Sequence, residues 1–312
     1  MGGIGIITNP NSKANKRRPS RGKLLGYIVG QFGNLEITNS VDDIERVARL
    51  FLDQGIDILA INGGDGTISR TLTAFIRVYQ SKPLPKVLVL RGGTMNMLAD
   101  NLGIRGTPEE ILVRMLECES GLRPKTYQSI ATLSVGGQYG FLFGNGVVAR
   151  YLERFYKNKT GPVGALLLVA TIYLQWLFQR PQYKEMVQDE TYRLLFNGHE
   201  SHADHKSVAM MISSVERMPL GLRLFPYAWR QPGQFQFFSL SIPAGQLPLR
   251  LPLAILRNAP GYFLGKWTKM ASSAVISATS GAQKYTLDGE LFDAPNGRLA
   301  IDVGPVVQFV VV

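Results

Sequence analysis

Apolar residues crowd into short runs over the first hundred positions, and each run ends in small or polar residues. Ile4 to Thr8 is one such run, closed by Asn9-Pro10-Asn11-Ser12. Ile56, Ile58, Leu59 and Ile61 form a second, which ends in Gly63-Gly64-Asp65-Gly66-Thr67. Residues 85–98 repeat the design, an apolar stretch followed by Gly92-Gly93-Thr94 and then Asn96. Short apolar runs bounded by such residues predict buried strands. Elsewhere the apolar positions change period. Ile68, Leu72, Phe75 and Tyr79 share one helical face, as do Val41, Ile44, Val47 and Phe51. Asn39 or Ser40 caps the latter helix and Gly55 stops it, while Thr107-Pro108-Glu109-Glu110 and Gly121 bracket another. Strand and helix therefore alternate through residues 1–126, which predicts a parallel sheet flanked by helices.

After Lys125 the rhythm shortens. Runs rich in β-branched and aromatic residues recur at 129–135, 138–143, 191–196, 207–214, 234–242, 272–279, 284–287, 298–303 and 306–312. This spacing predicts an antiparallel β-sandwich. The expected fold is an α/β N-terminal domain, residues 1–126, followed by a C-terminal antiparallel β-sandwich domain, residues 127–312. One apolar helix, 162–178, interrupts the second half. It is shorter than the roughly 20 residues that span a bilayer, and Thr171, Tyr173 and Gln175 break it, so it is expected to pack over the sandwich and wall an acyl-chain cleft.

Strand, glycine turn and helix in succession let backbone N–H groups and a helix start hold a phosphate. Asp65 is the unusual member of its turn, because a carboxylate in an anion cradle is costly unless it meets a cation or a proton. A tight turn with Asp65 or Thr67 as an N-cap is the plainer reading of that stretch alone. Three polar strand ends within one hundred residues should lie side by side, at the sheet edge where ligands bind.

Asn9-Pro10, Gly63-Gly64-Asp65-Gly66-Thr67, Gly93-Thr94-Met95-Asn96 and Asp288-Gly289-Glu290 resemble, in order and spacing, the motifs of the diacylglycerol kinase catalytic-domain superfamily. That group includes bacterial diacylglycerol kinases, sphingosine kinases and ceramide kinases. The resemblance runs from about residue 4 to residue 291. The Gly-Gly-Asp-Gly element is shared with NAD kinases and phosphofructokinases, so the specificity comes from its combination with Asp-Gly-Glu. The resemblance implies an ATP-dependent lipid kinase that uses magnesium (Mg2+). It assigns nucleotide binding to Asn9, Pro10, Gly63, Gly64, Gly66, Thr67, Gly92, Gly93, Thr94 and Asn96. It assigns Asp65 to the acceptor hydroxyl, and Asp288 and Glu290 to metal and nucleotide, with base and metal roles open to exchange. A hairpin turn is the structural alternative for Asp288-Gly289.

The chain departs from the family pattern in three places. Met97 replaces an acidic residue after Asn96, as in the sphingosine kinases. Pro226-Tyr227-Ala228 is followed by Gln231-Pro232-Gly233 in place of an acidic pair, so an accessory metal site is expected to be absent. Arg150 aligns where sphingosine kinases look to carry an acidic residue, which disfavours a protonated amine and favours diacylglycerol or ceramide. A neutral membrane lipid is thus the expected substrate. A sphingoid-base kinase, an NAD kinase-like enzyme and a non-catalytic lipid-binding protein are the alternatives. The retained Asp65, Asp288 and Glu290 argue for activity.

With 312 residues, 45% of them hydrophobic, the chain can bury a sizeable core. Its single cysteine, Cys118, excludes internal disulfides and multi-cysteine zinc sites and reads as a packed thiol. The net charge of +11 asks for an anionic partner. Nucleic acid is not expected, because no basic and aromatic residues interleave on one face. Arg250, Arg257, Lys266 and Lys269 instead surround Leu249, Leu251, Leu253, Ile255, Leu256, Phe263, Leu264 and Trp267, which suits the surface of an anionic membrane as well as an ordinary packed segment. No leader peptide is evident, and Ile6 breaks the myristoylation pattern. A cytoplasmic protein, peripherally associated with membranes, is expected, with homodimerisation left open. The basic stretch Lys13 to Arg21 is expected as an exposed, mobile loop that could grip phosphates. His199, His202 and His205 follow Asn197-Gly198 and are expected in a polar hairpin loop more than in a metal site.

Overall fold

The structure, a computed structural model, describes residues 3–157, 171–231, 233–256, 267–281 and 283–312. The first half alternates as its pattern predicts. Strands β1 (Ile4–Thr8), β2 (Gly33–Ile37), β3 (Ile58–Asn62) and β4 (Lys86–Val89) are parallel neighbours in the order β2-β1-β3-β4. Helices α1 (Lys13–Lys16), α2 (Arg21–Val29), α3 (Val41–Gln54), α4 (Asp65–Tyr79), α5 (Met97–Asn101) and α6 (Pro108–Glu119) connect or flank them. Local chemistry sets the helix starts. Ser40 and Asp43 form a capping box on α3, Thr107 and Glu110 form another on α6, and Gly55 ends α3 in the left-handed region. The buried faces of α3 and α4 join the core of the strands through Val47, Phe51, Ile68, Leu72 and Phe75.

The second half supplies β5 (Thr126–Val135), β6 (Gln138–Gly140), β7 (Leu142–Asn145), β8 (Glu190–Phe196), β9 (His199–Ser207), β10 (Ala209–Ser213), β11 (Phe235–Leu240), β12 (Thr268–Ala271), β13 (Ser273–Ala278), β14 (Gln283–Leu287), β15 (Glu290–Ala294) and β16 (Arg298–Val311). Strands β12-β11-β10-β7-β14-β15 form one antiparallel sheet. The others continue the parallel sheet as β4-β16-β13-β8-β9, with β5 and β6 attached through β16. A core of Val135, Phe143, Leu194, Phe196, Ile212, Phe237, Ile276 and Ile301 lies between the two sheets. Helix α7 (Val147–Lys157) follows β7 and packs on β14 and β15.

The fold class is as expected, an α/β half with a β-sandwich half, but the halves share a sheet. Strand β16 lies parallel to β4 at Phe309 and Val87, so the chain's last strand returns to the first half. Val307, Phe309 and Val310 sit in the first half's core, beside Ile130 and Phe141. The expected runs 298–303 and 306–312 are one strand, with a register shift between Val303 and Val306 at Gly304-Pro305. Proline has no N–H to donate to a ladder, so the pairing must adjust there.

The histidine segment is a correction. Asn197-Gly198 forms the hairpin turn, but His199, His202 and His205 lie on strand β9, paired with Phe196, Leu194 and Tyr192. His205 bonds to the Ser239 hydroxyl, and its ring and that of His202 pack on Trp267. Cys118 is buried, as its apolar surroundings suggested. Of the expected helix 162–178, residues 171–177 are helical, and 162–170 lie outside the described residues. Arg257, Phe263, Leu264 and Lys266 of the basic, leucine-rich segment also lie outside them, as does Pro232. No helix among the described residues is long and apolar enough to cross a membrane.

Candidate functional site

Parallel register places Thr8 beside Asn62, and β4 lies on the far side of β3, so three turns emerge at one edge. They are stitched together. The Asn9 N–H donates to the Asn62 carbonyl at 3.1 Å, and the Asn9 side-chain amide donates to Thr67 Oγ1 at 2.9 Å. The Ser12 hydroxyl donates to the Gly92 carbonyl at 2.8 Å. Buried Asn15 donates to the carbonyls of Asn9 and Asn62. Arg21, also buried, pairs with Glu109 at 2.8 Å. The stretch Lys13 to Arg21 is therefore folded and anchored, which corrects the expectation of a mobile loop. Its Lys13 ammonium lies over the Phe155 ring of α7, 5.8 Å from the centroid, so it reaches the second half of the molecule.

Close backbone approach explains the glycines. A Cβ on Gly92 would lie 2.3 Å from Asn62 Oδ1 and 2.7 Å from the Gly63 nitrogen. One on Gly93 would lie 2.4 Å from the Gly64 Cα, so the two glycine turns touch back to back. No side chain caps α4, whose N-cap is Gly64, so the amides of its first turn point outward with the positive end of the helix dipole behind them. That is a seat for an anion. The second turn behaves differently. The Gly93 N–H donates to Asn96 Oδ1 at 3.0 Å, while Met97 and Leu98 donate to the Asp65 carboxylate at 3.1 and 3.2 Å. Those three donors shape the site, and Thr94 is exposed at the rim. Pro10, half-buried, turns the chain between Asn9 and Asn11. Met97, the departure from the acidic pattern, is buried in the core.

Asp65 is half-buried at the start of α4. Burial raises its carboxyl above the ordinary range, the Leu98 and Met97 amides pull it back, and the Asp100 charge raises it further. Asp288 and Gly289 close the two-residue β14–β15 hairpin, both with positive φ, as the plainer reading of that dipeptide predicted. The Asp288 carboxylate accepts the Phe141 N–H on both oxygens, at 3.0 and 3.1 Å, and the Leu142 N–H at 2.9 Å. Burial pushes its carboxyl up to about 7, against those amides, and the charge of Asp65 adds to the rise. Through these bonds Asp288 clamps the hairpin to the β6–β7 link.

Glu290 is a partly accessible motif carboxylate. Its Oε2 pairs with Arg70 at 2.6 Å, and its Oε1 lies 2.6 Å from where a Cβ on Gly66 would sit. Gly66 therefore makes room for Glu290 beside Asp65. The Tyr156 hydroxyl donates to the Gly289 carbonyl at 2.7 Å and ties α7 to the same turn. The Arg150 guanidinium donates to Glu190 at 2.6 Å and to the carbonyls of Met186 and Gln188, so it fixes α7 to the chain before β8.

Four contributors escaped the sequence reading. Asn62 and Arg70 flank the recognised motif and were within reach of a helical-spacing argument. Asn15 and Tyr156 act through long-range contacts that leave no linear signal.

The family model of the diacylglycerol kinase catalytic domain matches residues 4–124, which hold Asp65 and both glycine turns. Over those residues the chain is similar to that family. No curated protein matches it. The solved structure of a diacylglycerol kinase from Bacillus anthracis str. Sterne is similar in fold over 98% of this chain and 96% of that chain, with a TM-score of 0.64 and 14% identity. Two other structures from that organism, of proteins provisionally assigned as diacylglycerol kinases, give TM-scores of 0.68 and 0.67 at 16% and 15% identity. They cover 98% and 99% of this chain and 96% and 97% of theirs. The likeness in fold extends past residue 124, so the Asp288-Gly289-Glu290 hairpin lies in a half that these kinase-like structures also possess.

Proposed function

We propose that this protein transfers the γ-phosphoryl group of ATP to a hydroxyl of a neutral membrane lipid, with diacylglycerol the acceptor that the family and the similar structures favour. The observation that carries the reading is Asp65. It stands at an uncapped helix start between two glycine turns, and burial raises its affinity for a proton. Phosphoryl transfer asks a protein mainly for positioning and charge neutralisation. The open amides at the start of α4 receive nucleotide phosphate, with the Thr67 hydroxyl held toward them by Asn9. The acceptor oxygen attacks the γ-phosphorus, its proton passes to Asp65, and the bond to the β-phosphate oxygen breaks to release ADP. A base with a carboxyl pulled upward suits that proton transfer.

Magnesium fits this donor set in one form. Among the described residues no three acidic, histidine or cysteine side chains group as a metal cage. Magnesium needs only one or two carboxylates when phosphates and waters complete its shell. Glu290, accessible beside Gly66, would hold such an ion, which would neutralise charge on the transferring phosphate. The earlier ground for disfavouring sphingoid bases is gone, because Arg150 is committed to Glu190. Incubation with labelled ATP, magnesium and a panel of diacylglycerol, ceramide and sphingosine in matched mixed micelles tests the proposal. Label should enter diacylglycerol first, and a panel without any labelled lipid would remove the reading.

A further inference from the structure

Residues 171–177 and the helix Leu247–Leu256 form a tied pair at the outer surface of the sandwich half. The Tyr173 hydroxyl donates to the Pro248 carbonyl at 2.7 Å, and the Trp176 indole donates to the Gly245 carbonyl at 3.0 Å. Their inner sides are committed: Ile172 and Trp176 pack with Tyr183, Met211 and Leu240 in one buried cluster. Their outer sides are not covered by the described chain. Leu174 is 55% exposed, Leu177 63%, Phe178 66%, Leu249 59% and Leu253 41%. Leu174 and Phe178 are four residues apart, as are Leu249 and Leu253, so each helical segment presents one apolar stripe. Neighbouring exposed apolar stripes on a water-facing surface mark a binding face.

We propose that this shelf docks on an anionic phospholipid bilayer, inserting its five apolar side chains below the headgroups. The inference rests on the reading of the acceptor as a membrane lipid and adds the surface through which that lipid is reached. Charge selects the occupant. Arg180 and Lys184 follow Phe178 and are exposed, Arg250 adjoins Leu249, Glu185 is the acidic residue among them, and the whole chain carries +11. Cations flanking leucine and phenylalanine fit the interface of an anionic bilayer. Position agrees with this. Val147, Val148 and Tyr151 of α7 pack against the same cluster as Ile172 and Trp176. Farther along α7, Tyr156 bonds to Gly289 at the candidate site. One helix thus runs from beneath the shelf to the Asp288 hairpin, a short path for a lipid leaving the bilayer. The expected segment 249–269 is corrected in one respect. Lys269 lies on β12 with its ammonium over Phe196, and the partner of Leu249 and Leu253 is the 171–178 segment.

The full chain is sedimented with vesicles of phosphatidylcholine alone and of equal parts phosphatidylcholine and phosphatidylglycerol, at low and high salt. The wild type should bind the anionic vesicles and release as salt rises. Leu174→Ser/Phe178→Ser and Leu249→Ser/Leu253→Ser should each weaken that binding about tenfold or more, since each removes two large apolar groups from the inserted face. Arg180→Glu/Arg250→Glu, which leaves the apolar groups in place, should weaken it several-fold and reduce the salt dependence. Circular dichroism checks folding, and all of the substituted side chains reach solvent. Unchanged binding by all three folded variants, or equal binding of the wild type to both vesicle types, overturns the proposal. So does a wild type that self-associates without lipid while the serine variants are monomeric, which would make the shelf an interface between copies. Phosphorylation of acceptor dispersed in detergent micelles is measured in parallel. Full micellar turnover with lost vesicle binding supports the shelf, whereas binding without any turnover leaves the shelf standing and removes the kinase reading.

Discussion

Asp65 and Asp288 are alike in chemistry and differ in their place in the fold. Burial pulls both carboxyls upward, and each faces backbone amides. Asp65 accepts two N–H bonds from the start of α5 and remains half-exposed at the mouth of the glycine turns. Asp288 accepts three from the Phe141–Leu142 link and holds two strands in register with a hairpin. A raised pKa therefore does not separate a base from a clamp. Position does, because Asp65 stands at the start of α4 between the two glycine turns, whereas Asp288 closes a hairpin clamped to the Phe141–Leu142 link.

The largest expected effect separates the two at once. Asp65→Asn should lower turnover by about a hundredfold to ten-thousandfold, the usual contribution of a positioned base, while leaving the unfolding midpoint close to wild type. Wild-type turnover should rise with pH through a value above 3.8, since the folded Asp65 holds its proton longer than a free carboxyl. Near-wild-type turnover by Asp65→Asn would remove it as base. Asp288→Asn should show the reverse balance. Its amide turns N–H groups toward the Phe141 or Leu142 amides, so a urea titration should find a loss of about 1–3 kcal/mol.

The pH dependence of stability sharpens the contrast further. Asp288 binds its proton more tightly folded than unfolded, so its stabilising contribution is complete below 3.8 and fades as pH rises through about 7. Between those values the wild type should lose stability with rising pH, and Asp288→Asn should flatten that slope. An identical slope in both proteins would show that Asp288 titrates as it does in the unfolded chain. Gly66→Ala comes next. Its Cβ meets the mobile end of the Glu290 side chain, so stability should change little while turnover falls and the magnesium requirement rises. Arg70→Gln should cost least, under about 1 kcal/mol, because its pair with Glu290 is solvent-accessible. A larger loss on thermal melting would mean that the Arg70–Glu290 pair holds the hairpin as firmly as Asp288 does.

Most of the fold was legible from periodicity. The strand runs at 129–135, 191–196, 234–242, 272–279 and 284–287 each coincide with a strand within a residue or a few, because half-buried strands write their alternation into the chain. The caps at Ser40 and Thr107 were legible for the same reason, since a capping box closes within four residues. The histidine segment gives no strand signal, because its polar residues lie on a solvated strand where no apolar alternation announces the pairing.

By itself, then, the sequence determined whatever depends on near neighbours. The strand–glycine–helix turn at Asp65, the helix boundaries, the change of rhythm after Lys125 and the family motifs all follow from bonds and periods within a few residues. Tertiary structure alone decided what depends on distant partners. It gave Asp288 to Phe141 and Leu142, bound Arg150 to Glu190, laid β16 beside β4 and set residues 171–177 against Pro248. The physical reason is common to all four. A carboxylate, a guanidinium, a strand edge or a tyrosine hydroxyl is satisfied by whichever group the folded chain brings to it, and its place in the sequence does not record which one that is.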